Sequence, residues 1–352
     1  MLATIRLDFN PSTTVFGASI HLETLALAGL VLLVLLLAAF LSAKPGAGAA
    51  AADEAARAAL PRLRRDDLIL IAFGAVPGAI VGGRLDYVLV HLDYYRANPQ
   101  AIADPTQGAF GLTLAVVLGT LTGAAVARLL AAPIGRWLGV ASIPVLLGLG
   151  LGKLATALGG EGQGAYSSAS WATSYVHSGD WGSLNPTFPA VPSQLMEGGL
   201  VLAAAVVVAV VPLLLRLRIR RWGPLARPVL AGRRDWRFLT GWRRYLVALG
   251  LWALARFAVA FTWRDAQVYR GLGVEQLILL ALMALIVAAL SVQGVAAAIH
   301  RAWVGQSARR AAGRAEQAAR AAAEAEAARA AAEAEAKSQF KAPAAPPPAA
   351  EL

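Results

Sequence analysis

The feature that most constrains this chain is a series of seven runs of about twenty predominantly apolar residues. An α-helix rises about 1.5 Å per residue, so each run is long enough to cross the ~30 Å hydrocarbon core of a bilayer. Of the 352 residues, 58% are hydrophobic and 15% are charged, whereas soluble domains ordinarily carry about 25% charged residues. We therefore predict an all-α, polytopic membrane protein of about seven transmembrane helices, with spans at Thr24–Leu41, Leu68–Val90, Gly108–Leu130, Leu138–Leu158, Gln194–Leu215, Tyr245–Phe261 and Leu277–Ala297.

The transmembrane domain is predicted to occupy residues 24–300, after an outer N-terminal segment at residues 1–23. The first apolar run follows Arg6 and Asp8 rather than a basic segment, so we expect a retained span and no cleavable signal peptide.

Two cytoplasmic segments are predicted to follow the last span. Residues 301–341 are rich in Ala, Glu and Arg, which predicts a solvated helix supported by Glu–Arg pairs, with a partner-binding helix as the alternative. The Pro- and Ala-rich end, residues 342–352, predicts disorder.

The distribution of Lys and Arg predicts the orientation of the chain in the membrane. A cytoplasmic loop over residues 216–244 contains ten arginines, whereas an outer loop over residues 159–193 contains no Lys or Arg. By the positive-inside rule, the N-terminus is expected outside and the C-terminus in the cytoplasm.

The net charge of +11 raises the possibility of a nucleic-acid partner. The basic residues, however, lie in short loops between apolar runs, where membrane orientation explains them, so we predict no nucleic-acid binding. Cysteine is absent, which excludes disulfides, a cysteine nucleophile and a Cys-ligated metal. We expect no metal or other cofactor.

Three basic residues, Arg84, Lys153 and Arg256, lie within the predicted spans. On insertion scales each costs about 2.5–3.5 kcal/mol at the bilayer centre, so each needs a partner or water. Their distances from the predicted inner surface are ~24, ~22 and ~17 Å, which places all three in the outer half of the membrane. We predict that they meet at one site. In the alternative interpretation, Arg84 pairs with Asp86 or Glu197, and the other two reach the outer surface.

Polar and acidic residues lie at a similar level, namely His21, Glu23, Asp86, Glu161, Ser193, Gln194 and Glu197. Three cations with a few carboxylates suit an anionic headgroup such as a phosphodiester, and we expect Glu197 and Glu161 to orient the cations. The aromatic residues of the outer loop are expected either to cover a lateral entrance or to form a passive interfacial belt; they are Tyr166, Trp171, Tyr175, Trp181 and Phe188.

Glycines in the second predicted span indicate close helix packing. Gly74, Gly78 and Gly82 are four residues apart, which predicts one small face for helix contact. Pro77 lies between them and should kink the span.

Three segments resemble the prolipoprotein diacylglyceryl transferases of bacterial inner membranes. They are Gly82-Gly83-Arg84-Leu85-Asp86-Tyr87-Val88-Leu89, Pro192-Ser193-Gln194-Leu195-Met196-Glu197 and Ala255-Arg256-Phe257. In that family the first is a Gly-Gly-Arg-hydrophobic-x-Tyr-Val segment, the second is His-Pro-Ser-Gln-Leu-Tyr-Glu, and the third carries the arginine of the next span. The resemblance covers about residues 15–300 and extends to span count, orientation and loop sizes.

The sequence departs from the family pattern at several positions. The Gly-Arg-x-Gly-Asn signature falls on Gly152 to Thr156, where Lys153 replaces the arginine, and neither family asparagine is present. Lysine keeps the charge but makes no bidentate phosphate contact. No histidine occurs within Gly108 to Ala115, where the family has His-Gly-Gly. Val191 stands in place of the histidine before Pro-Ser-Gln, and Ala260 in place of the glutamate four residues after the span-six arginine.

The resemblance implies transfer of diacylglycerol from phosphatidylglycerol to the lipobox cysteine of prolipoproteins, in the bacterial cytoplasmic (inner) membrane. The implied partners are phosphatidylglycerol, or another anionic phospholipid, and prolipoprotein signal peptides. Arg256, Lys153 and Glu197 would be catalytic. The headgroup would be bound by Arg84, Lys153, Arg256, Gln194, Ser193, Glu161 and Thr156. The possible substitutes for the missing base are His21, His91 and His177.

Two alternative functions remain open from the sequence. A lipid-binding family member without transferase activity, acting as a scaffold or assistant, is favoured by the missing histidine and asparagines. An anion or lipid transporter would usually need access from the inner side as well, but no comparable charge cluster lies in the inner half of any predicted span.

Overall fold

The computed structural model describes residues 4–44, 60, 62–104, 106, 109–176, 187–221 and 241–339. Within these ranges the α-helices are α1 (Leu22–Ser42), α2 (Arg65–Val90), α3 (Leu92–Ala97), α4 (Thr113–Leu129), α5 (Ile134–Thr156), α6 (Ser193–Arg221), α7 (Gly241–Ala260) and α8 (Val274–Gln339). A short 3₁₀ helix covers Pro99–Ile102. Most of the basic loop predicted at 216–244 lies outside the described residues, as do the predicted disordered end at 342–352, His177 and Trp181.

Five helical segments are long and apolar enough to cross a membrane: Leu22–Ser42, Arg65–Val90, Ile134–Thr156, Ser193–Leu214 and Val274–Val292. The apolar helix Thr113–Leu129 is shorter. Helix α7 contains Arg243, Arg244 and Arg256, and this charge content keeps it out of the first group. The prediction of a helical, polytopic membrane protein is confirmed.

Helices α2 and α4 pack closely along the predicted glycine face. A side chain at Gly74 would collide with Val126, one at Gly78 with Thr122, and one at Gly82 with the Leu114 carbonyl. Gly78 and Gly82 are themselves buried. The prediction of a small helix face is therefore confirmed, and Pro77 lies inside the continuous helix α2.

Helix α5 lies in the middle of the bundle and packs against α1, α6 and α7. Its contact with α6 is close because each helix presents a glycine there. A Cβ atom at Gly150 would lie 2.9 Å from the Leu202 side chain and 3.2 Å from the Gly198 carbonyl oxygen. Helices α5, α6 and α7 are thus close enough for polar side chains to reach between them.

Short strands, which the sequence analysis did not predict, lie outside the helices. Strand β1 (Ile5–Leu7) pairs in parallel with β4 (Thr173–Tyr175). Strands β2 (Ser12–Val15) and β3 (Ala18–His21) form one hairpin, and β5 (Gln267–Tyr269) and β6 (Leu272–Gly273) form another. Both hairpins turn on two residues with positive φ, Phe16-Gly17 and Arg270-Gly271, which is the backbone that tight hairpin turns favour.

The chain divides into two compact units, Met1–Ala288 and Ala289–Leu352. The first part of α8 belongs to the first unit, where Leu279 and Ile286 are buried. In the second unit, residues 310–334 are all exposed, and Arg320 pairs with Glu316 at 2.8 Å.

The α2–α4 contact can be tested by adding one methyl group. We expect Gly78→Ala to destabilise the protein by about 1–3 kcal/mol, because the new Cβ would overlap Thr122 and the Leu118 carbonyl. Gly199→Ala is the matched control, since nothing lies within 4 Å of a Cβ there. Thermal unfolding in detergent measures both; equal midpoints for the two variants would contradict the packing.

Candidate active site

The candidate site is centred on Arg256 of α7, a residue that is only 6% exposed. Its Nη1 donates to Glu197 Oε1 at 2.7 Å, and its Nε donates to Glu275 Oε1 at 2.9 Å. Nε also lies 3.2 Å from Thr113 Oγ1, and Cζ lies 4.6 Å from the centre of the Trp263 ring. These partners matter because a cation removed from water loses several kcal/mol of solvation.

Lys153 of α5 approaches the same glutamate from another helix. Its Nζ lies 3.5 Å from Glu197 Oε2, and the Glu197 side chain is 1% exposed. The two carboxylate oxygens of Glu197 therefore face different cations, Arg256 and Lys153. Helix α6 begins at Ser193, so Glu197 lies just after its first turn. Of the residues predicted from sequence, the structure brings these three together.

Glu275 and Thr113 complete the buried network, and the sequence analysis identified neither. The Thr113 hydroxyl donates a short hydrogen bond to Glu275 Oε1, while its backbone N–H donates to Asp86 Oδ2 at 2.9 Å. Thr113 begins α4, whose N-cap residue Leu112 provides no side-chain acceptor, so Asp86 from α2 satisfies a free N–H group of that helix. The sequence feature that could have identified Glu275 is its position, a carboxylate two residues before the predicted span that begins at Leu277.

A cavity of about 290 Å³ opens beside this network, close to the lower end of the range for small-molecule pockets. Three cations and three carboxylates contribute to its wall. They are Lys153, Arg256, Arg264, Glu197, Glu275 and Asp265. The remaining lining residues are Tyr87, Val90, His91, Gly111, Gly162, Gln163 and Trp263.

Arg264 is the third cation of the cavity wall, and it was not among the predicted site residues. It follows α7, and its Nε donates to the Gly164 carbonyl at 2.7 Å. Its Cζ lies 4.5 Å from the Tyr166 ring centre. Both contacts are to the loop between α5 and α6, so Arg264 attaches that loop to the edge of the cavity. Its position eight residues after Arg256, just beyond the helix end, was the available signal.

Arg84 does not lie with the other two cations predicted to meet it, which corrects that expectation. Its Nη2 donates to the carbonyls of Ala101 and Asp104 at 2.5 and 2.9 Å, and its Nε donates to the Ile102 carbonyl at 2.7 Å. The chain after α2 folds back over this side chain, and the end of a short helix there presents free carbonyls. The structure gives Arg84 no ion pair with Asp86 or Glu197, so the alternative pairing is also not found.

The other residues predicted to bind the headgroup lie next to the cavity but are not among the residues that line it. Ser193 Oγ lies 2.6 Å from Thr262 Oγ1, and Gln194 is buried. Thr156 donates to the Lys153 carbonyl of its own helix at 2.8 Å. Glu161 is exposed, and the described residues give it no ion pair with the cavity cations.

Among the histidines proposed as substitutes for the base, His91 lines the cavity. Its Nδ1 lies 3.0 Å from the Tyr87 carbonyl oxygen, and its ring stacks on the Tyr87 ring with centroids 4.1 Å apart. A carbonyl only accepts, so Nδ1 carries the proton and Nε2 of the neutral ring is the acceptor. His21 lies in β3, paired with Ser12, and is not in the cavity wall.

The aromatic residues of the predicted outer loop differ in their surroundings. Tyr175 is 1% exposed, and its hydroxyl donates to the Ala157 carbonyl at 2.7 Å. Burial raises the pKa of Tyr175 to about 12, so it stays protonated and serves as a structural contact. Tyr166, Trp171 and Phe188 are exposed.

The fold and the site together define a class: a polytopic membrane protein with a charged cavity set into its helix bundle. The family model for prolipoprotein diacylglyceryl transferase matches residues 33–292, and the chain belongs to this family. The resemblance seen in the sequence is thereby confirmed.

The chain is similar to proteins named phosphatidylglycerol–prolipoprotein diacylglyceryl transferase. It is 32% identical to that of Bordetella parapertussis over 213 residues, which are 58% of this chain and 68% of the relative. It is 30% identical to that of Geobacter sulfurreducens over 138 residues, or 38% of this chain and 50% of the relative. The Bacillus cereus protein is 29% identical over 114 residues, or 32% and 41%. The last two alignments thus span half or less of those relatives.

Asp265 gives the cavity a pH dependence that can be measured. Partial burial, and next the charge of Glu275, raise the pKa of Asp265. A raised pKa means that the folded protein disfavours the charged carboxylate, so the penalty is absent at low pH and appears as the pH rises through that pKa. We expect the cavity to bind an anionic lipid more tightly as the pH falls, because Asp265 then loses its negative charge.

The corresponding variant is Asp265→Asn, which removes this charge at every pH. We expect it to bind an anionic lipid about two- to fivefold more tightly than the unaltered protein at neutral pH, consistent with an exposed-charge interaction of up to about 1 kcal/mol. Lipid titrations between pH 4 and 8 measure the affinity of both proteins, and Asp93→Asn, at an exposed carboxylate, is the control. A pH dependence unchanged by Asp265→Asn would contradict the assignment.

Proposed function

We propose that this protein transfers diacylglycerol from phosphatidylglycerol to the lipobox cysteine of prolipoproteins, using the cavity beside Arg256. Membership of the family supports this proposal. The observation that carries it is the pair of cations on different helices, the half-buried Lys153 and the buried Arg256, which share Glu197 and line one cavity. The acceptor would enter as part of a prolipoprotein signal peptide.

The phosphate would bind to donors that the network leaves free. Arg256 uses Nε and Nη1 for its carboxylate partners, and its Nη2 has no hydrogen-bond partner among the described residues. The Lys153 ammonium has one ion pair, at 3.5 Å, and retains further N–H donors. Both groups would stabilise negative charge on the phosphate as it departs.

In the proposed reaction, the thiolate sulfur attacks the diacylglycerol carbon that carries the phosphate oxygen. The new S–C bond forms as the C–O bond breaks, and glycerol phosphate leaves with the bonding electrons. His91 is the proposed base: its Nε2 would accept the thiol proton, since Nδ1 is held by the Tyr87 carbonyl.

We expect His91→Gln to lower the transfer rate about 10²-fold while leaving phosphatidylglycerol binding unchanged.

The lipid-binding member without transferase activity remains the second candidate. Its support is the absence of histidine from Gly108 to Ala115 and the ion pairs that Lys153 and Arg256 already make with Glu197. The two candidates differ in one measurable respect, because only the enzyme produces a thioether-linked diacylglyceryl group on a cysteine.

The decisive experiment is mass spectrometry of a lipoprotein from cells in which this is the only family member. We expect diacylglyceryl modification of the lipobox cysteine, with Arg256→Lys reducing transfer by about 10²–10³-fold because lysine cannot bridge Glu197 and Glu275. Arg96→Ala is the matched control, since that side chain is 70% exposed and makes only a surface ion pair. Bound phosphatidylglycerol with an unmodified cysteine would support the second candidate instead.

We further propose that the chain crosses the bacterial cytoplasmic membrane seven times, with its N-terminus outside and its C-terminus in the cytoplasm. The distribution of arginine supports this orientation. It places the cavity at the outer leaflet, where the lipobox cysteine of an exported precursor arrives.

The absence of cysteine makes the orientation simple to test. We expect Val268→Cys, at a site that is 64% exposed on β5, to react with a membrane-impermeant maleimide in intact spheroplasts. Ala322→Cys in α8 should react only after the membrane is permeabilised. The cysteine-free protein is the control, and the reverse labelling pattern would overturn the proposed orientation.

A further inference from the structure

Arg256 is held at two of its three nitrogens. Nε is bonded to Glu275 Oε1 at 2.9 Å, and Nη1 to Glu197 Oε1 at 2.7 Å. The guanidinium is planar, with its N–H groups in fixed directions, so these two bonds also set the direction of Nη2. Arg256 lines the cavity, and Nη2 is its nitrogen without a hydrogen-bond partner among the described residues.

The two glutamates contribute differently to this arrangement. Glu197 is shared with Lys153, so changing it disturbs both cations. Glu275 pairs with Arg256 alone among the described cations, and its carboxylate is fixed in turn by the Thr113 hydroxyl. The first turn of α8 is fixed as well, because the Gly273 N–H donates to Gln276 Oε1 at 2.8 Å. The Glu275 side chain is 6% exposed.

From this geometry we infer that Glu275 is a positioning residue, which holds the guanidinium of Arg256 so that Nη2 faces the phosphate of the bound lipid. This inference rests on the proposed function. It concerns a residue outside the three motif segments quoted for the family, on a helix whose first turn follows a β-hairpin.

A second cavity makes the inference testable by relocating the charge. Ala260 and Glu275 both line a small cavity of about 50 Å³, together with Phe261, Trp263, Asp265 and Gln276. Ala260 lies four residues after Arg256 in α7, and residues at this spacing are neighbours on one helix face. A glutamate at position 260 would therefore have room beside Glu275 and would approach the guanidinium from α7 instead of α8.

The experiment compares four full-length variants in lipid nanodiscs: Glu275→Gln, Glu275→Ala, Glu275→Ala combined with Ala260→Glu, and Asp93→Asn. Asp93 is the control carboxylate because its side chain is fully exposed. For each variant, phosphatidylglycerol affinity, the transfer rate and the thermal midpoint are measured. Phosphatidylethanolamine, whose zwitterionic headgroup has a phosphate but no net charge, serves as the comparison lipid.

We expect Glu275→Ala to weaken phosphatidylglycerol binding at least tenfold and Glu275→Gln to weaken it severalfold. The relocated glutamate should restore affinity to within about threefold of the unaltered protein, and Asp93→Asn should have no effect. If Glu275→Ala does not fold, the Gln variant and the relocated variant decide the result.

Two outcomes would overturn the inference, and they can be told apart. If the unaltered protein binds phosphatidylglycerol no better than phosphatidylethanolamine, the proposed function fails and the positioning role fails with it. If it binds phosphatidylglycerol, but affinity across the variants only follows the thermal midpoint and relocation restores nothing, Glu275 is merely structural and the proposed function is unaffected.

Discussion

A guanidinium buried among apolar helices must be neutralised inside the protein, and the site is arranged around this requirement. Arg256 of α7 reaches Glu197 of α6 and Glu275 of α8, and Glu197 in turn reaches Lys153 of α5. Breaking a buried pair of this kind by removing one partner costs about 3–5 kcal/mol. The ion pairs therefore fix the relative positions of the ends of four helices where the cavity opens, and the glycine contact between α5 and α6 allows the side chains to meet.

Charge balance in the cavity limits how an anion can bind there. Three cations and three carboxylates contribute to the wall, and two of the cations, Lys153 and Arg256, are already ion-paired with carboxylates when a phosphodiester arrives. The donors left to it are the N–H groups of Arg256 and Lys153 that make no ion pair, together with the Arg264 N–H groups that do not bind the Gly164 carbonyl. Such a site distinguishes one anion from another by the directions of its N–H donors more than by net electrostatic attraction, because a charge-assisted hydrogen bond depends on geometry.

Much of the fold could be predicted from sequence, and much of the site could not. The apolar runs predicted the helices because the thickness of the lipid core dictates their length, and the four-residue glycine spacing predicted a small packing face on α2 but not its partner α4. The predicted depth in the membrane correctly placed Lys153 near Arg256, but it wrongly placed Arg84 with them. Depth gives the level of a residue in the membrane and not the direction in which its side chain points. Arg84 instead bonds to carbonyls of a returning segment, whose path depends on tertiary structure. Arg264 was missed because it lies between α7 and the β5–β6 hairpin, and Glu275 was missed because it lies in the first turn of α8, just before the predicted span.

Two of the departures from the family pattern are a missing histidine and a missing carboxylate. No histidine occurs within Gly108 to Ala115, around the start of α4, and Ala260 provides no carboxylate to Arg256. The structure nevertheless has a histidine at the cavity wall, namely His91 just beyond the end of α2. It also has a carboxylate that pairs with Arg256, namely Glu275 at the start of α8. Packing of a helix bundle fixes where in space a chemical group is needed, but it does not fix which residue in the chain provides that group. Any helix end that reaches the place can supply it. On the proposed assignments, this protein keeps the chemistry of its cavity while taking the base and one carboxylate from different elements.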